Sequence, residues 1–109
     1  MKNVVKQMLL DLGVNPANKG FNELAKAILM VVDKGEPMMM KEIYQSIYPE
    51  GEVKYCSFDR NCRLAIENTY LADTDMYKHL FGQTEKCPSL KFFIDAVASE
   101  IQIDLGGDK

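Results

Sequence analysis

Two arginines lie three residues apart near the middle of the chain, Arg60 and Arg63, and its 109 residues contain no other arginine. The guanidinium group is planar and permanently charged, and its fork of donors fits a phosphate group or a guanine edge better than the lysine ammonium does. Lys54, Tyr55 and Ser57 precede the arginines and could contact phosphates, which would fix the position of the protein without reading bases. These five residues indicate a surface suited to nucleic acid.

The stretch from Tyr55 to Tyr70 has the periodicity of an amphipathic helix that would position these side chains. One side of this helix carries Phe58, Cys62, Ala65, Ile66, Thr69 and Tyr70. The opposite side carries Ser57, Arg60, Leu64, Glu67 and Leu71. We expect the first set to be buried. Arg60 should then project outward from the N-terminal half of the helix, where recognition helices contact bases.

Each of the five residues also has an ordinary structural interpretation. The arginines could lie on a solvated face, with Arg63 paired to Asp59 at the i, i+4 spacing for roughly 0.3–0.5 kcal/mol. Spacing alone favours that interpretation. Lys54 and Tyr55 could be plain turn surface, and Ser57 could cap the helix instead of contacting a phosphate.

The charge of the chain limits how it could bind DNA. Its net charge is −3, whereas nucleic-acid-binding surfaces are usually basic. Residues 38–68 hold four basic and five acidic side chains. Because neutralised phosphates supply most non-specific affinity, one copy should bind weakly, and a homodimer on tandem sites would add affinity.

Several other functions lack the residues they need. The three cysteines, Cys56, Cys62 and Cys87, form no CxxC pair, and His79 is the only histidine, so the four ligands of a zinc site are not supplied. The chain has no G-x-S-x-G, phosphate-binding glycine loop or HExxH motif. We therefore expect no enzyme activity, no metal and no cofactor.

The chain also has no apolar run long enough for a membrane span, and its first residues lack the apolar core of a signal peptide. We expect no membrane partner and a cytoplasmic location. The three cysteines should then be reduced.

Apolar periodicity over the whole chain predicts an all-α fold, a six-helix bundle that forms a single domain over residues 1–109. The predicted helices span residues 3–12, 21–32, 39–48, 56–71, 75–81 and 90–103. We expect Asp75 and Ser89 to cap the last two helices, a loop over residues 83–88 and a frayed tail over residues 106–109. The third helix, the breaker-containing turn Pro49–Glu52 and the fourth helix have the order of a helix-turn-helix at about 39–71.

Four stretches in order resemble a known bacterial family. They are Leu9–Val14 with Lys19–Phe21 and Ala27–Val31; Lys41–Tyr44; Phe58–Arg60 with Arg63 and Ala65–Glu67; and Leu80–Thr84 with Pro88 and Phe93–Ala98. On these residues the chain, from about Val5 to Asp104, resembles the C-terminal effector domain of the sporulation stage-zero-A response regulator, a six-helix DNA-binding domain.

The resemblance implies a transcription factor whose fourth helix enters the major groove of double-stranded DNA at a short box. Arg60 and Arg63 fall on arginine positions of the family's recognition helix. RNA polymerase is a second candidate partner for such a regulator. These 109 residues contain no phosphoacceptor receiver domain, so they are either a fragment or a stand-alone protein regulated in another way.

Three departures from the family pattern lie near the expected DNA surface. Ser57 stands where the family usually has a third arginine, Leu64 replaces a polar residue, and the turn Pro49–Glu52 is acidic where the family is basic. They support an alternative function, a helical protein-interaction module on the same scaffold that has lost DNA binding. Its partner surface would include Leu64 and Leu71.

Overall fold

The computed structural model describes residues 2–82 and 85–105, and these contain six α-helices and no strand. The helices are α1 (Lys2–Asp11), α2 (Lys19–Lys34), α3 (Met40–Ile47), α4 (Tyr55–Ala72), α5 (Asp75–Phe81) and α6 (Leu90–Leu105). The predicted all-α class and the predicted order of helices are confirmed. The predicted tail at residues 106–109 and part of the predicted loop, Gln83 and Thr84, lie outside the described residues.

The central helix α2 is longer than predicted at both ends. It begins two residues before Phe21 and continues two residues past Val32, because apolar periodicity marks only the part of a helix that faces the core. The C-terminal end is set by Gly35, whose φ of 78° is left-handed and whose N–H donates to the Val31 carbonyl at 2.9 Å.

The caps of the last two helices differ in how well the sequence predicted them. Thr74 rather than Asp75 caps α5, since the Thr74 hydroxyl accepts a hydrogen bond from the Tyr77 N–H at 3.1 Å. Asp75 is instead the first helical residue, where its negative charge interacts favourably with the partial positive charge at the helix N-terminus. Ser89 caps α6 as predicted, with its hydroxyl accepting from the Phe92 N–H at 3.2 Å.

The core surrounds α2, which packs against α1, α3, α4 and α6. Fully buried side chains from these helices include Leu9, Leu24, Ile28, Ile43, Phe58, Ile66, Phe93, Ile94 and Ile101, and Leu12, directly after α1, is also fully buried. Each of them stabilises the fold by about 1.5–3 kcal/mol relative to an exposed side chain. On α4 the predicted stripe is buried except for Tyr70, which is half-buried.

The two helices that carry the candidate site, α2 and α4, are in close contact at Gly20. A Cβ atom at this position would lie 2.1 Å from the Asn61 carbonyl oxygen and 3.1 Å from Cβ of Ala65. Only glycine leaves room for this contact, which sets the N-terminal turn of α2 beside the first half of α4.

Among the helices of the described residues, none has both the length and the apolar character needed to cross a bilayer.

Candidate nucleic-acid interface

The start of α4 is held in place by two tyrosine hydroxyls from α3 and the turn that follows it. The Tyr44 hydroxyl donates a hydrogen bond to the Val53 carbonyl, within the turn. The Tyr48 hydroxyl donates to Oε2 of Glu23 in α2 at 2.6 Å. The turn between α3 and α4 is therefore tied to both α3 and α2, which fixes where α4 begins.

Four aromatic rings fill the space behind this turn. Tyr44 lies 5.6 Å from Phe58 and 5.3 Å from Tyr55 between ring centroids, the latter in a T-shaped arrangement. Tyr48 also packs edge-on against Phe58 at 6.4 Å. Because Tyr55 packs here and is still 40% exposed, it is a packing residue as well as a surface residue.

The outward face of α4 is as predicted, since Ser57, Arg60, Leu64, Glu67 and Leu71 are all exposed. Within the described part of the chain, no hydrogen bond or ion pair engages the Arg60 guanidinium. Two leucines follow on the same face, with Leu64 48% and Leu71 77% exposed. The face is thus cationic toward the N-terminal end of α4 and apolar toward its C-terminal end.

Arg63 is engaged in the ion pair that its spacing predicted. Its Nε donates to Oδ2 of Asp59 at 2.8 Å, one turn earlier on α4. This hydrogen bond, more than any other interaction, raises the pKa of Arg63. The pair is exposed and contributes roughly 0.3–0.5 kcal/mol, so it orients the side chain more than it stabilises the helix.

The alternative interpretation of Ser57 as a helix cap is wrong. The N-cap of α4 is Lys54, whose carbonyl accepts from the N–H groups of Ser57 and Phe58 at 3.0 and 3.1 Å. Ser57 is already the third helical residue, because α4 begins at Tyr55. No side chain caps α4 and its first turn holds no acidic residue, so the partial positive charge of this helix end is not neutralised by a carboxylate there.

A groove of about 780 Å³ runs between α2 and the first half of α4. We call it the α2–α4 groove. Its basic lining residues are Lys19, Lys26, Lys54 and Arg60, and its acidic ones are Glu23 and Glu52. The groove is therefore net positive, although the whole chain carries −3.

Two of these cations, Lys19 and Lys26, lie outside residues 38–68, so the acidic balance of that segment does not include them. A signal for them does exist. Lys19, Asn22 and Lys26 follow the i, i+3, i+7 spacing and lie opposite the core stripe of α2, so they share one exposed face. What the sequence alone does not reveal is that this face lies beside Arg60.

Glu23 forms the buried floor of the groove, with only 4% of its surface exposed. Its Oε2 accepts from Tyr48, while Oε1 has no hydrogen-bond partner among the described residues. Burial, followed by the hydrogen bond to Glu23, raises the pKa of the Tyr48 hydroxyl. Burial and the nearby Glu23 charge also raise the pKa of the Cys62 thiol on α4. Both groups are protonated at neutral pH.

Outside the groove, the titratable residues that the structure describes do not assemble into a metal site. Among the described residues, no three His, Cys, Asp or Glu side chains lie close enough together to hold a metal ion. His79 faces Glu100 at 3.2 Å on the surface. The cysteines are free, with Cys56 exposed and Cys62 buried.

Comparison with known families gives a match to a bacterial family. The model described as "Sporulation initiation factor Spo0A C terminal" matches residues 5–101, which is most of the chain. No curated protein and no solved structure matches the sequence. The matched range includes α2, α3, the turn and all of α4.

Proposed function

Because the chain belongs to the family of the sporulation initiation factor Spo0A C-terminal domain, we propose that it is a sequence-specific DNA-binding transcription regulator. This family is a DNA-binding effector domain of a sporulation regulator and is not an enzyme family. We further propose that residues 1–109 act as one domain, in which α3, the turn and α4 form a helix-turn-helix.

In this proposal α4 enters the major groove and Arg60 reads base edges. The observation that carries it is the state of Arg60, which is exposed on the outward face of α4 and unpaired among the described residues. An unpaired guanidinium can make the bidentate contact to guanine O6 and N7 without first breaking a bond within the protein. Arg63, oriented by Asp59, reads an adjacent base or holds the neighbouring phosphate.

Phosphate contacts at the start of α4 would seat the helix. Lys54 supplies a charge, Ser57 a hydroxyl on the exposed face, and Tyr55 a ring edge that is 40% exposed. The uncapped N-terminal end of α4 adds its partial positive charge to this region. These contacts fix register, so that Arg60 meets the correct base pair.

Affinity and regulation involve further partners in this proposal. Tandem boxes bound by a homodimer would add affinity that one net-acidic copy lacks. RNA polymerase is the protein through which a regulator bound beside a promoter would act. Since the target is the bacterial chromosome, we place the protein in the cytoplasm.

The decisive variant is Arg60→Ala. We expect it to weaken binding to a duplex with the family's box by about 1–3 kcal/mol, because one bidentate base contact is lost, while binding to a scrambled duplex changes little. Fluorescence anisotropy on both duplexes measures this. Lys78→Ala, which removes an exposed cation from α5, is the control and should leave both affinities unchanged.

Equal affinity for the two duplexes, with no effect of Arg60→Ala, would contradict the proposal. The alternative of a protein-interaction module without DNA binding would then gain support. The observation that favours this alternative is the exposure of Leu64 and Leu71. Isolated exposed leucines are common, however, and the family match favours DNA as the partner.

A further inference from the structure

We propose that the α2–α4 groove holds the phosphate backbone of one DNA strand, so that Lys19 and Lys26 of α2 bind DNA together with α4. This inference rests on the proposed function and extends it to a second helix. It makes the DNA-binding surface a two-walled groove rather than the outward face of α4 alone.

The first argument is charge. Four cationic side chains line the groove against two carboxylates, in a chain whose net charge is −3. The remaining surface is therefore more acidic than the chain as a whole, and the field of the molecule is positive only locally. A polyanion that approaches this molecule is attracted to the groove despite the net negative charge of the chain.

The second argument is that these cations have no partners within the protein. Lys19, Lys26, Lys54 and Arg60 form no ion pair with any other residue that the structure describes. Lysines away from the groove are often paired: Lys34 lies 2.9 Å from Glu42, Lys78 3.8 Å from Asp73 and Lys91 2.6 Å from Asp95. The groove cations can thus bind phosphates without the loss of an ion pair.

The third argument is the direction of the two helices. Lys19 is the first residue of α2 and Lys54 is the N-cap of α4, so both helices begin at the groove. Neither end has a side-chain cap or an acidic residue in its first turn. The partial positive charges of two helix ends therefore add to those of the four side chains.

The spacing of the α2 lysines suits a single strand of the duplex. Seven residues of helix separate Lys19 from Lys26, a rise of roughly 10 Å. Phosphates of one strand advance about 3.4 Å along the duplex axis per nucleotide. Because successive phosphates also wind around that axis, they are farther apart in space than this axial advance, so the two flexible lysine side chains would contact neighbouring phosphates of one strand, while Arg60 on the opposite wall faces the bases.

Glu23 provides a second prediction, in which the affinity for DNA should rise instead of fall. Its carboxylate at the floor of the groove repels phosphate, and its Oε1 has no partner among the described residues. Glu23→Gln keeps an oxygen that accepts from Tyr48 and removes the charge. This variant should raise affinity for every duplex, whatever its sequence.

The test uses salt titrations of the full chain on the box duplex and the scrambled duplex. For the Lys19→Gln/Lys26→Gln variant we expect affinity for both duplexes to fall by the same factor. The slope of log affinity against log salt concentration should decrease by about two, one for each lost phosphate contact. Lys34→Gln/Lys91→Gln removes the same charge outside the groove and should leave the slope unchanged. Circular dichroism verifies that every variant is folded.

The outcomes separate this inference from the proposed function. If the Lys19→Gln/Lys26→Gln variant keeps the salt slope and the affinity of the wild-type chain, the inference is overturned. In that case, loss of box binding in Arg60→Ala would still support the proposed function. Equal slope losses in the groove variant and the control variant would also overturn the inference, because the effect would then be net charge alone. A wild-type chain that binds neither duplex would overturn both.

Discussion

At the scale of single residues, the contact between Glu23 and Tyr48 is the least expected feature of the site. Glutamate is seldom fully buried, and its buried form is normally paired or hydrogen-bonded. Here one phenol hydroxyl, at 2.6 Å, is the hydrogen-bond donor to the carboxylate within the described residues. Tyr48 is also the C-cap directly after α3, so the bond joins the central helix to the turn before α4.

We expect Tyr48→Phe to lower the free energy of unfolding by about 1–3 kcal/mol, because Glu23 would lose its hydrogen-bond donor while it stays buried. Urea denaturation monitored by circular dichroism measures the loss. Tyr70→Phe is the matched control: its hydroxyl donates to the Glu85 carbonyl at the surface, where water can replace it, and less than about 0.5 kcal/mol should be lost. Similar losses in the two variants would show that burial of Glu23 does not matter.

Residue-level predictions from the sequence succeeded where helical periodicity determines the position of a side chain. They failed where contacts between distant parts of the chain determine it. The buried stripe of α4 and the Asp59–Arg63 pair follow from helical spacing and are confirmed. The alternative interpretation of Ser57 as a cap is wrong, because Ser57 lies inside α4, three residues after the N-cap Lys54. Burial of Glu23 was not predicted, since nothing local shows that Tyr48, 25 residues later, donates to it.

At the scale of elements, the contact between α2 and α4 decides the shape of the site. The two helices meet at Gly20, where the Asn61 carbonyl occupies the space of a side chain. If these helices moved apart, the two walls of the α2–α4 groove would separate and Arg60 would no longer lie beside the α2 lysines.

Gly20→Ala should therefore destabilise the protein, although alanine favours helix over glycine by about 1 kcal/mol. The new Cβ would be 2.1 Å from the Asn61 carbonyl oxygen, and such overpacking costs about 1–3 kcal/mol. Thermal unfolding would show the change. Asn22→Ala, on the exposed face of the same helix, is the control and should be neutral or slightly stabilising. A Gly20→Ala variant as stable as this control would mean that the helices adjust without cost.

The ends of the elements were predictable only where a strong signal stands at the end itself. Gly82 follows α5 and the Pro49 turn follows α3, and both helices end within one residue of the prediction. The start of α2 precedes the first residue of its apolar stripe, Phe21, and includes Gly20, although glycine is a poor helix former. Tertiary packing against Asn61 overrides that local preference.

At the scale of the whole molecule, the distribution of charge matters more than its sum. The net charge of −3 and the acidic balance of residues 38–68 both argue against DNA binding. The fold changes this conclusion, because it adds Lys19 and Lys26 from a segment outside that window to the site of Lys54 and Arg60. Counts along a sequence cannot show such a surface, whereas the all-α class and the family could be inferred from the sequence.

The buried position of Cys62 has a consequence for kinetics. Its side chain is fully buried on the inner face of α4, whereas Cys56, six residues earlier on the same helix, is exposed. Burial also raises the pKa of the Cys62 thiol, so the reactive thiolate is scarce until the helix opens. The reaction of Cys62 with a thiol reagent therefore reports how often α4 leaves the core.

In a Cys56→Ser/Cys87→Ser variant, we expect the remaining thiol to react with Ellman's reagent only as fast as α4 opens. A variant that keeps only Cys56 should react at once and serves as the reference. Because a ligand that binds only the folded state suppresses opening, the box duplex should slow Cys62 and a scrambled duplex should slow it less. If Cys62 reacts as fast as Cys56, α4 does not stay packed in solution. The reaction rate of the Cys62 thiol thus shows whether bound DNA keeps α4 packed against the core.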